Sequence, residues 1–195
     1  MTRQAIVGSA RALLIDRGYG PTTMEDVASA AVVSVGTLYN YFSSKQTLLV
    51  AVFEAETETM LAAGQTIVDA PPGDPEQGVT ALLNAYADQL FAIPPALVKE
   101  ILTFGLGGGE VTDELVSMDV RLMSQFAGFL ESYHSRRKIR SDVVVADAVL
   151  IIYSVLFANL LMYTSMPGFD LETARGQIVR QVDVVFKGLE PPRTN

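Results

Sequence analysis

Ser34-Val35-Gly36-Thr37-Leu38-Tyr39-Asn40-Tyr41-Phe42 is the stretch on which the reading of the whole chain turns. Ser34 is a good helix N-cap, because its hydroxyl can accept from backbone N–H groups of the following turn, and Gly36 lets backbone come close to a neighbouring surface. Leu38 and Phe42 stand four residues apart and share one face, an anchor on a small core. Thr37, Tyr39, Asn40 and Tyr41 then offer hydrogen-bonding groups on the other face. One side of the helix holds and the other side reads.

The flanks give this short helix a setting. In Thr22-Thr23-Met24-Glu25-Asp26-Val27-Ala28 a threonine is followed three residues later by an acid, a capping box that starts a helix at about Thr23 and carries it to about Ala30. Ala31-Val32-Val33-Ser34 leaves about four residues between the two helices, the spacing of a helix-turn-helix whose second helix enters the DNA major groove. Downstream, Ser43-Ser44-Lys45-Gln46 caps another helix and sets a cation beside its N-terminus, a combination suited to phosphate oxygens.

Thr22-Thr23, Val27-Ala28, Ala30-Ala31, Val33-Ser34, Gly36-Thr37-Leu38-Tyr39-Asn40-Tyr41-Phe42 and Lys45 together resemble the N-terminal signature of TetR-family transcriptional regulators, over roughly residues 5–53. The resemblance implies phosphate contacts from Tyr39 and Lys45 and places Thr37 and Asn40 near bases. Thr23, Ser34, Val35, Gly36 and Tyr41 complete the implied DNA-binding set, Ser34 as a cap first and a phosphate neighbour second. Two positions depart from the family pattern. Val32 stands where glycine is usual, and a β-branched residue resists a positive φ. Val35 replaces a residue that is commonly polar or basic, which removes one contact to DNA.

Composition bounds the remainder. The chain has 195 residues, of which 49% are hydrophobic, enough for a small DNA-binding unit and a second domain with its own core. The absence of cysteine excludes disulfides and thiolate catalysis, and a single histidine argues against a histidine-based metal site. No metal and no cofactor are expected, and the lack of a signal-peptide pattern leads to the expectation of a cytoplasmic protein. The net charge of −8 is unevenly spread. Residues 1–50 carry four cations against three acids, a net of +1, and the other 145 carry ten against nineteen, a net of −9. The acid thus sits away from the DNA-reading face, whose positive patch is thin.

The fold expected is all-α with about nine helices: a helix-turn-helix DNA-binding domain at residues 1–45, and an effector-binding and dimerisation domain at 46–195. Ile6, Val7, Ala10, Leu13 and Leu14 recur at helical spacing between Arg3 and Arg17, with Gly18 as the stop. A long connector runs from Ser43 to about Val68. Further helices are expected over 76–93, 96–104, 112–137, 141–164 and 171–189. The run Gly105-Leu106-Gly107-Gly108-Gly109 follows a helix instead of a strand and lacks the Lys-Ser/Thr of a phosphate-binding loop, so it reads as a flexible loop.

The 141–164 helix is apolar nearly all round, yet Asp147, Ser154 and Asn159 break the run well short of the roughly 20 residues a bilayer needs. A subunit interface is the economical way to bury it. Ile152, Leu156, Leu160 and Tyr163, with Ile178, Val182, Val185 and Phe186 from the last helix, are the expected contacts of a four-helix bundle in a homodimer. The family resemblance implies an effector cavity in the same domain. Met60, Tyr86, Phe91, Phe104 and Met123 are candidates to line it, with Phe126, Phe129, Tyr133, Phe157 and the polar Asn159. An aromatic stripe at helical spacing is equally what a plain core provides.

No Ser/His/Asp group or carboxylate pair can be assembled from spacing, so an enzyme is not expected. The reading is a ligand-responsive repressor that binds a palindromic operator in double-stranded DNA as a dimer and is released by a small apolar or aromatic effector. A helical carrier that sequesters a small molecule and has lost specific DNA binding is the alternative, and sequence-specific DNA retention discriminates the two.

Overall fold

The structure, a computed structural model, describes residues 3–107 and 112–188. Among these residues there are nine α-helices and no strand: α1 (Arg3–Arg17), α2 (Met24–Ala30), α3 (Val35–Tyr41), α4 (Lys45–Asp69), α5 (Pro75–Leu90), α6 (Pro95–Gly107), α7 (Thr112–Ser135), α8 (Val145–Ser165) and α9 (Leu171–Lys187).

Local chemistry explains most of the boundaries. Gly18, at φ +83°, lets the chain leave α1 in the left-handed conformation. Thr23 and Asp26 form the reciprocal capping box, the Asp26 amide donating to the Thr23 hydroxyl at 3.1 Å and the Thr23 amide to the Asp26 carboxylate at 3.1 Å. These contacts hold the Asp26 carboxyl below its ordinary pKa, the Thr23 hydroxyl and amide being the main causes. The cap therefore stabilises α2 above the ordinary carboxylate range, and that contribution is lost as pH falls through the lowered value. Ser44 and Thr47 cap α4 reciprocally, and Asp74 caps α5 with Pro75 just inside the helix.

Several boundaries differ from the sequence expectation, α5 ending at Leu90 and not at Ile93 and α6 running on to Gly107. α8 begins at Val145, not at Ser141: the chain turns through Ser141-Asp142, with the Val143 amide donating to the Arg140 carbonyl at 3.3 Å, and the β-branched Val144 is extended and offers no side-chain cap. α7 stops at Ser135: the Lys138 amide reaches back to the Tyr133 carbonyl at 2.9 Å, with Arg137 at φ +57° where glycine is usual. Gly105 and Gly107 belong to the end of α6 and not to a loop, while Gly108 and Gly109 lie outside the described residues.

Contacts divide the chain into two compact units. The first takes in residues up to Thr59 together with Ala92–Asp119. It buries Ile6, Val7, Ala10 and Leu14 of α1, Val27 and Ala28 of α2, Leu38 of α3, Phe42, and Leu48, Leu49 and Phe53 of α4. The second comprises Met60–Phe91 and the residues from Val120 onward. Its core is built on Leu82, Leu83 and Tyr86 of α5, Phe126, Phe129 and Tyr133 of α7, Ile152 and Leu156 of α8, and Ile178 and Val182 of α9. Each fully buried side chain of this size contributes on the order of 1.5–3 kcal/mol of hydrophobic stabilisation.

Candidate nucleic-acid interface

α3 has the two faces its sequence demands. Leu38 is wholly buried and Phe42 nearly so, while Tyr39 and Tyr41 are each 47% exposed and Asn40 is exposed beside them. The Ser34 hydroxyl accepts from the Thr37 amide at 3.0 Å and lies 2.8 Å from the Thr37 hydroxyl, so the two oxygens are joined at the start of the helix. Val35 and Gly36 are exposed in the first turn, and Thr23 is exposed at the start of α2.

The turn between α2 and α3 resolves the departure at Val32. The Val33 amide donates to the Ala28 carbonyl at 2.9 Å and the Val32 amide to that of Ser29 at 3.1 Å. This closure needs a left-handed residue, and Val32 takes it at φ +55°. The turn thus takes the conformation that glycine adopts readily, with a β-branched side chain held where it costs an L-residue about 1–2 kcal/mol. Since Val32 is 77% exposed, its side chain returns little by burial. Val32→Gly is therefore expected to stabilise the protein by about 1 kcal/mol, after allowance for the greater freedom of an unfolded glycine. Thermal denaturation should show a midpoint raised by about 2–4 °C, and an unchanged or lowered midpoint would refute the strain.

Lys45, expected at a phosphate, has its ammonium donating in this DNA-free chain to the carbonyls of Tyr19 at 2.9 Å, Thr22 at 3.0 Å and Gly20 at 3.3 Å, and lying 4.3 Å from the centre of the Tyr19 ring. All three N–H donors have protein acceptors, and they tie the first turn of α4 to the segment linking α1 and α2. Sequence reading also missed Thr22, which is buried and donates from its hydroxyl to the Gly18 carbonyl at 2.8 Å. Of two adjacent threonines only one can be the cap, and the other was free to point inward. Tyr19 is the remaining omission: its ring meets Phe104 edge-on at 5.7 Å, and burial, then the nearby Glu100 carboxylate, raises its phenol pKa.

The ten residues proposed to line an effector cavity do not form one set. Tyr86, Phe126 and Phe129 have no exposed surface, Tyr133 and Met60 scarcely any, and they interlock as core: Tyr86 meets Phe126 edge-on at 5.2 Å and Phe129 meets Tyr133 at 5.1 Å. Side chains without accessible surface line no cavity. Phe104 belongs to the first unit, Met123 and Phe91 are half-buried at the margin of the second unit's core, and Phe157 stacks on Tyr153. Asn159 is buried; its amide donates to the Val155 carbonyl at 2.7 Å and to Gln181 at 2.8 Å, and its own carbonyl oxygen has no partner.

The proposed dimer contacts need a similar correction. Ile152, Leu156, Leu160, Ile178 and Val182 are buried within the chain, and Val185 and Phe186 are half-buried. Tyr163 donates to the Phe91 carbonyl at 3.2 Å, with the two rings 4.3 Å apart. The apolar residues that α8 leaves exposed are Leu150, Ile151 and Leu161, and α9 adds Val179 and Val184. A helix apolar all round gives no periodicity from which to choose its covered face, and the sequence reading chose the side that the chain itself covers.

Comparison with known proteins agrees with this geometry. A family model described as bacterial regulatory proteins, tetR family, matches residues 6–52, which span α1 to α3 and the start of α4. The transcriptional regulator UidR of Escherichia coli K12 is 33% identical over 151 residues, covering 74% of this chain and 72% of UidR. The transcriptional repressor BepR of Brucella suis is 24% identical over 93% of this chain and 90% of its own. Among solved structures, the TetR-family repressor FadR of Thermus thermophilus, in complex with lauroyl-CoA, shares the fold with a TM-score of 0.75 at 20% identity, each chain covered in full. The chain belongs to the TetR family of bacterial regulatory proteins and is a helix-turn-helix transcriptional regulator.

Proposed function

We propose that this protein is a cytoplasmic repressor that binds a palindromic operator as a homodimer and leaves it when a small apolar effector binds. Residues 1–45 are its DNA-binding domain and 46–195 its effector-binding and dimerisation domain, with no enzymatic role. The observation that carries the reading is α3, anchored by Leu38 and Phe42 and offering Thr37, Tyr39, Asn40 and Tyr41 outward at the end of a closed helix-turn-helix. Selection of bound sequences from a random duplex library tests it. An enriched inverted repeat, with half-sites roughly 34–36 Å apart or a little more, is expected, and sequence-blind retention alone would refute it.

The second copy is assigned to the exposed face of α8 and α9. Leu150, Ile151 and Leu161 form an apolar strip, and beside it Gln177, Arg180, Gln181 and Val184 line a hollow of about 370 Å³. Ile151→Glu would place a charge in this strip in both subunits at once. Sedimentation at micromolar concentration should then show monomer where the parent chain shows dimer; a dimer unaffected by the change would remove this face from consideration.

The chemistry of the effector follows from the second unit's interior. Among the described residues its fully buried side chains with a polar atom are Asn159, Tyr86 and Tyr133, and no charged side chain is buried there. An apolar or aromatic ligand is the class this interior suits. Lauroyl-CoA is the ligand of the Thermus fold neighbour and illustrates that the fold accepts a long apolar chain. Linkage requires only about 1–3 kcal/mol of coupling between effector and operator.

A further inference from the structure

α9 carries three cations, Arg175, Arg180 and Lys187, and two of them are paired within the chain. Arg175 donates to the Asp88 carboxylate of α5 at 2.5 Å, and Lys187 pairs with Asp183 one turn back. Arg180, midway along the helix and exposed, has no ion pair or hydrogen bond among the described residues. Its guanidinium folds back along α9 towards Gly176, where an added Cβ would lie 3.5 Å from Nη1.

Arg180 shares the hollow beside the apolar strip of α8 with Gln177, Gln181 and Val184. The two glutamines are not equivalent. Gln181 accepts from the Asn159 amide at 2.8 Å, which fastens α9 to α8, whereas the Gln177 carbonyl oxygen is shut away from solvent with no donor. One patch of α9 thus holds a cation without an acceptor and an acceptor without a donor. Within the chain the two do not meet.

A twofold axis through this patch changes that. An isologous contact sets residue i of one copy against j of the other and j against i, so a donor and an acceptor on the same patch are satisfied twice. A guanidinium carries only donors, and enclosing it in an apolar contact is costly unless an acceptor answers it. The last torsion of a glutamine side chain is broad, so the Gln177 oxygen can turn outward without leaving a rotamer. Leu150, Ile151 and Leu161 supply apolar area to such a contact but no direction, because the hydrophobic effect does not fix a register.

We propose, resting on the reading that the exposed face of α8 and α9 meets a second copy, that Arg180 of each copy enters the hollow of the other and donates to Gln177. This reciprocal pair fixes the register of the dimer and restricts pairing to copies of this chain.

Exchanged variants test the pair across the contact. In a mixture of Arg180→Glu and Gln177→Arg chains, the mixed dimer meets opposite charges at one pair and the parent contact at the other, while the Gln177→Arg dimer sets arginine against arginine twice. Native mass spectrometry of the equilibrated mixture should show the mixed dimer enriched at least about tenfold over the statistical ratio, and a statistical mixture overturns the proposal. Arg180→Leu reads the same role without a new charge. It should weaken the dimer about tenfold in sedimentation even though it adds apolar surface to an apolar face, and a dimer as tight as the parent's, or tighter, overturns the pair. Ile151→Glu separates this failure from that of the face: if it too leaves the dimer intact, the assignment of the face falls with the proposal, and if it alone dissociates the dimer, the face stands and the Arg180 pair falls.

Discussion

Replacing Gly78 with alanine is expected to destabilise the second unit by about 3 kcal/mol, against the usual direction for a helical glycine. An exposed Gly→Ala change in a helix gains about 1 kcal/mol. At Gly78 the new Cβ would lie 3.0 Å from the ring carbon of Tyr133 that bears its hydroxyl, nearer still to that oxygen, and 3.1 Å from the tip of Phe129. Neither ring has room to retreat, since both are fully buried, and the Tyr133 hydroxyl donates to the Pro72 carbonyl at 2.7 Å. Overpacking costs about 1–3 kcal/mol and the lost hydrogen bond about as much again. Two companions make the measurement decisive. Gly8→Ala, on the exposed side of α1 with nothing within 4 Å, should raise the melting temperature. Tyr133→Phe in the Gly78→Ala background should recover part of the loss, a coupling of at least about 1 kcal/mol. A Gly78→Ala protein that melts with the parent would mean that α5 and α7 are not packed as described.

Gly64 follows the same logic with different neighbours, a Cβ there falling 2.6 Å from both the Tyr86 ring and the Gln125 amide oxygen. Gln125 is in turn fixed from three sides: it accepts from the Tyr86 hydroxyl and donates to the Leu61 carbonyl at 3.1 Å and to Gln65 at 3.0 Å. Burial pushes the Tyr86 phenol far above its ordinary pKa, so the hydroxyl remains a donor throughout the physiological range. Close approach of α4, α5 and α7 in this unit thus depends on two glycines, which hydrophobic periodicity alone does not mark.

What the sequence reveals is what short range controls. Caps at Thr23, Ser34 and Ser44 are set by a side chain and an amide two or three residues away, and the structure has each of them. The positive φ at Val32 was legible as a conflict, because spacing demanded a turn there and the residue disliked it. The fate of Lys45 was not legible: its acceptors lie 23 to 26 residues back in the chain, and nothing local distinguishes an ammonium held by carbonyls from one presented to solvent. The same holds for the pairs from Arg3 to Glu54 and from Arg11 to Glu56, separated by 51 and 45 residues. On α8 the difficulty was of another kind. Polar residues normally report which side of a helix is wet, and a helix with so few of them does not say whether Ile152 or Ile151 faces out.

Asn40→Ala is the substitution expected to weaken operator binding most while leaving the fold alone. Asn40 is exposed, and among the described residues its side chain makes no hydrogen bond that its loss would break, so the melting temperature should stay within the error of the measurement. Leu38→Ala, two residues away but wholly buried, should instead cost about 2–5 kcal/mol of stability, and any loss of binding there is a loss of folded head. A side-chain amide that contacts a base edge is worth about 1–3 kcal/mol of discrimination. The dimer proposed above would make each such contact twice, so the operator complex should lose about 2–6 kcal/mol, a fall in affinity of roughly thirtyfold to more than ten-thousandfold. A scrambled duplex sets the other bound. If Asn40 reads bases, its removal leaves weak nonspecific binding untouched and the ratio of specific to nonspecific affinity collapses. A uniform fall on both duplexes would place Asn40 on the backbone instead, and base reading would pass to Thr37, whose hydroxyl is already shared with Ser34.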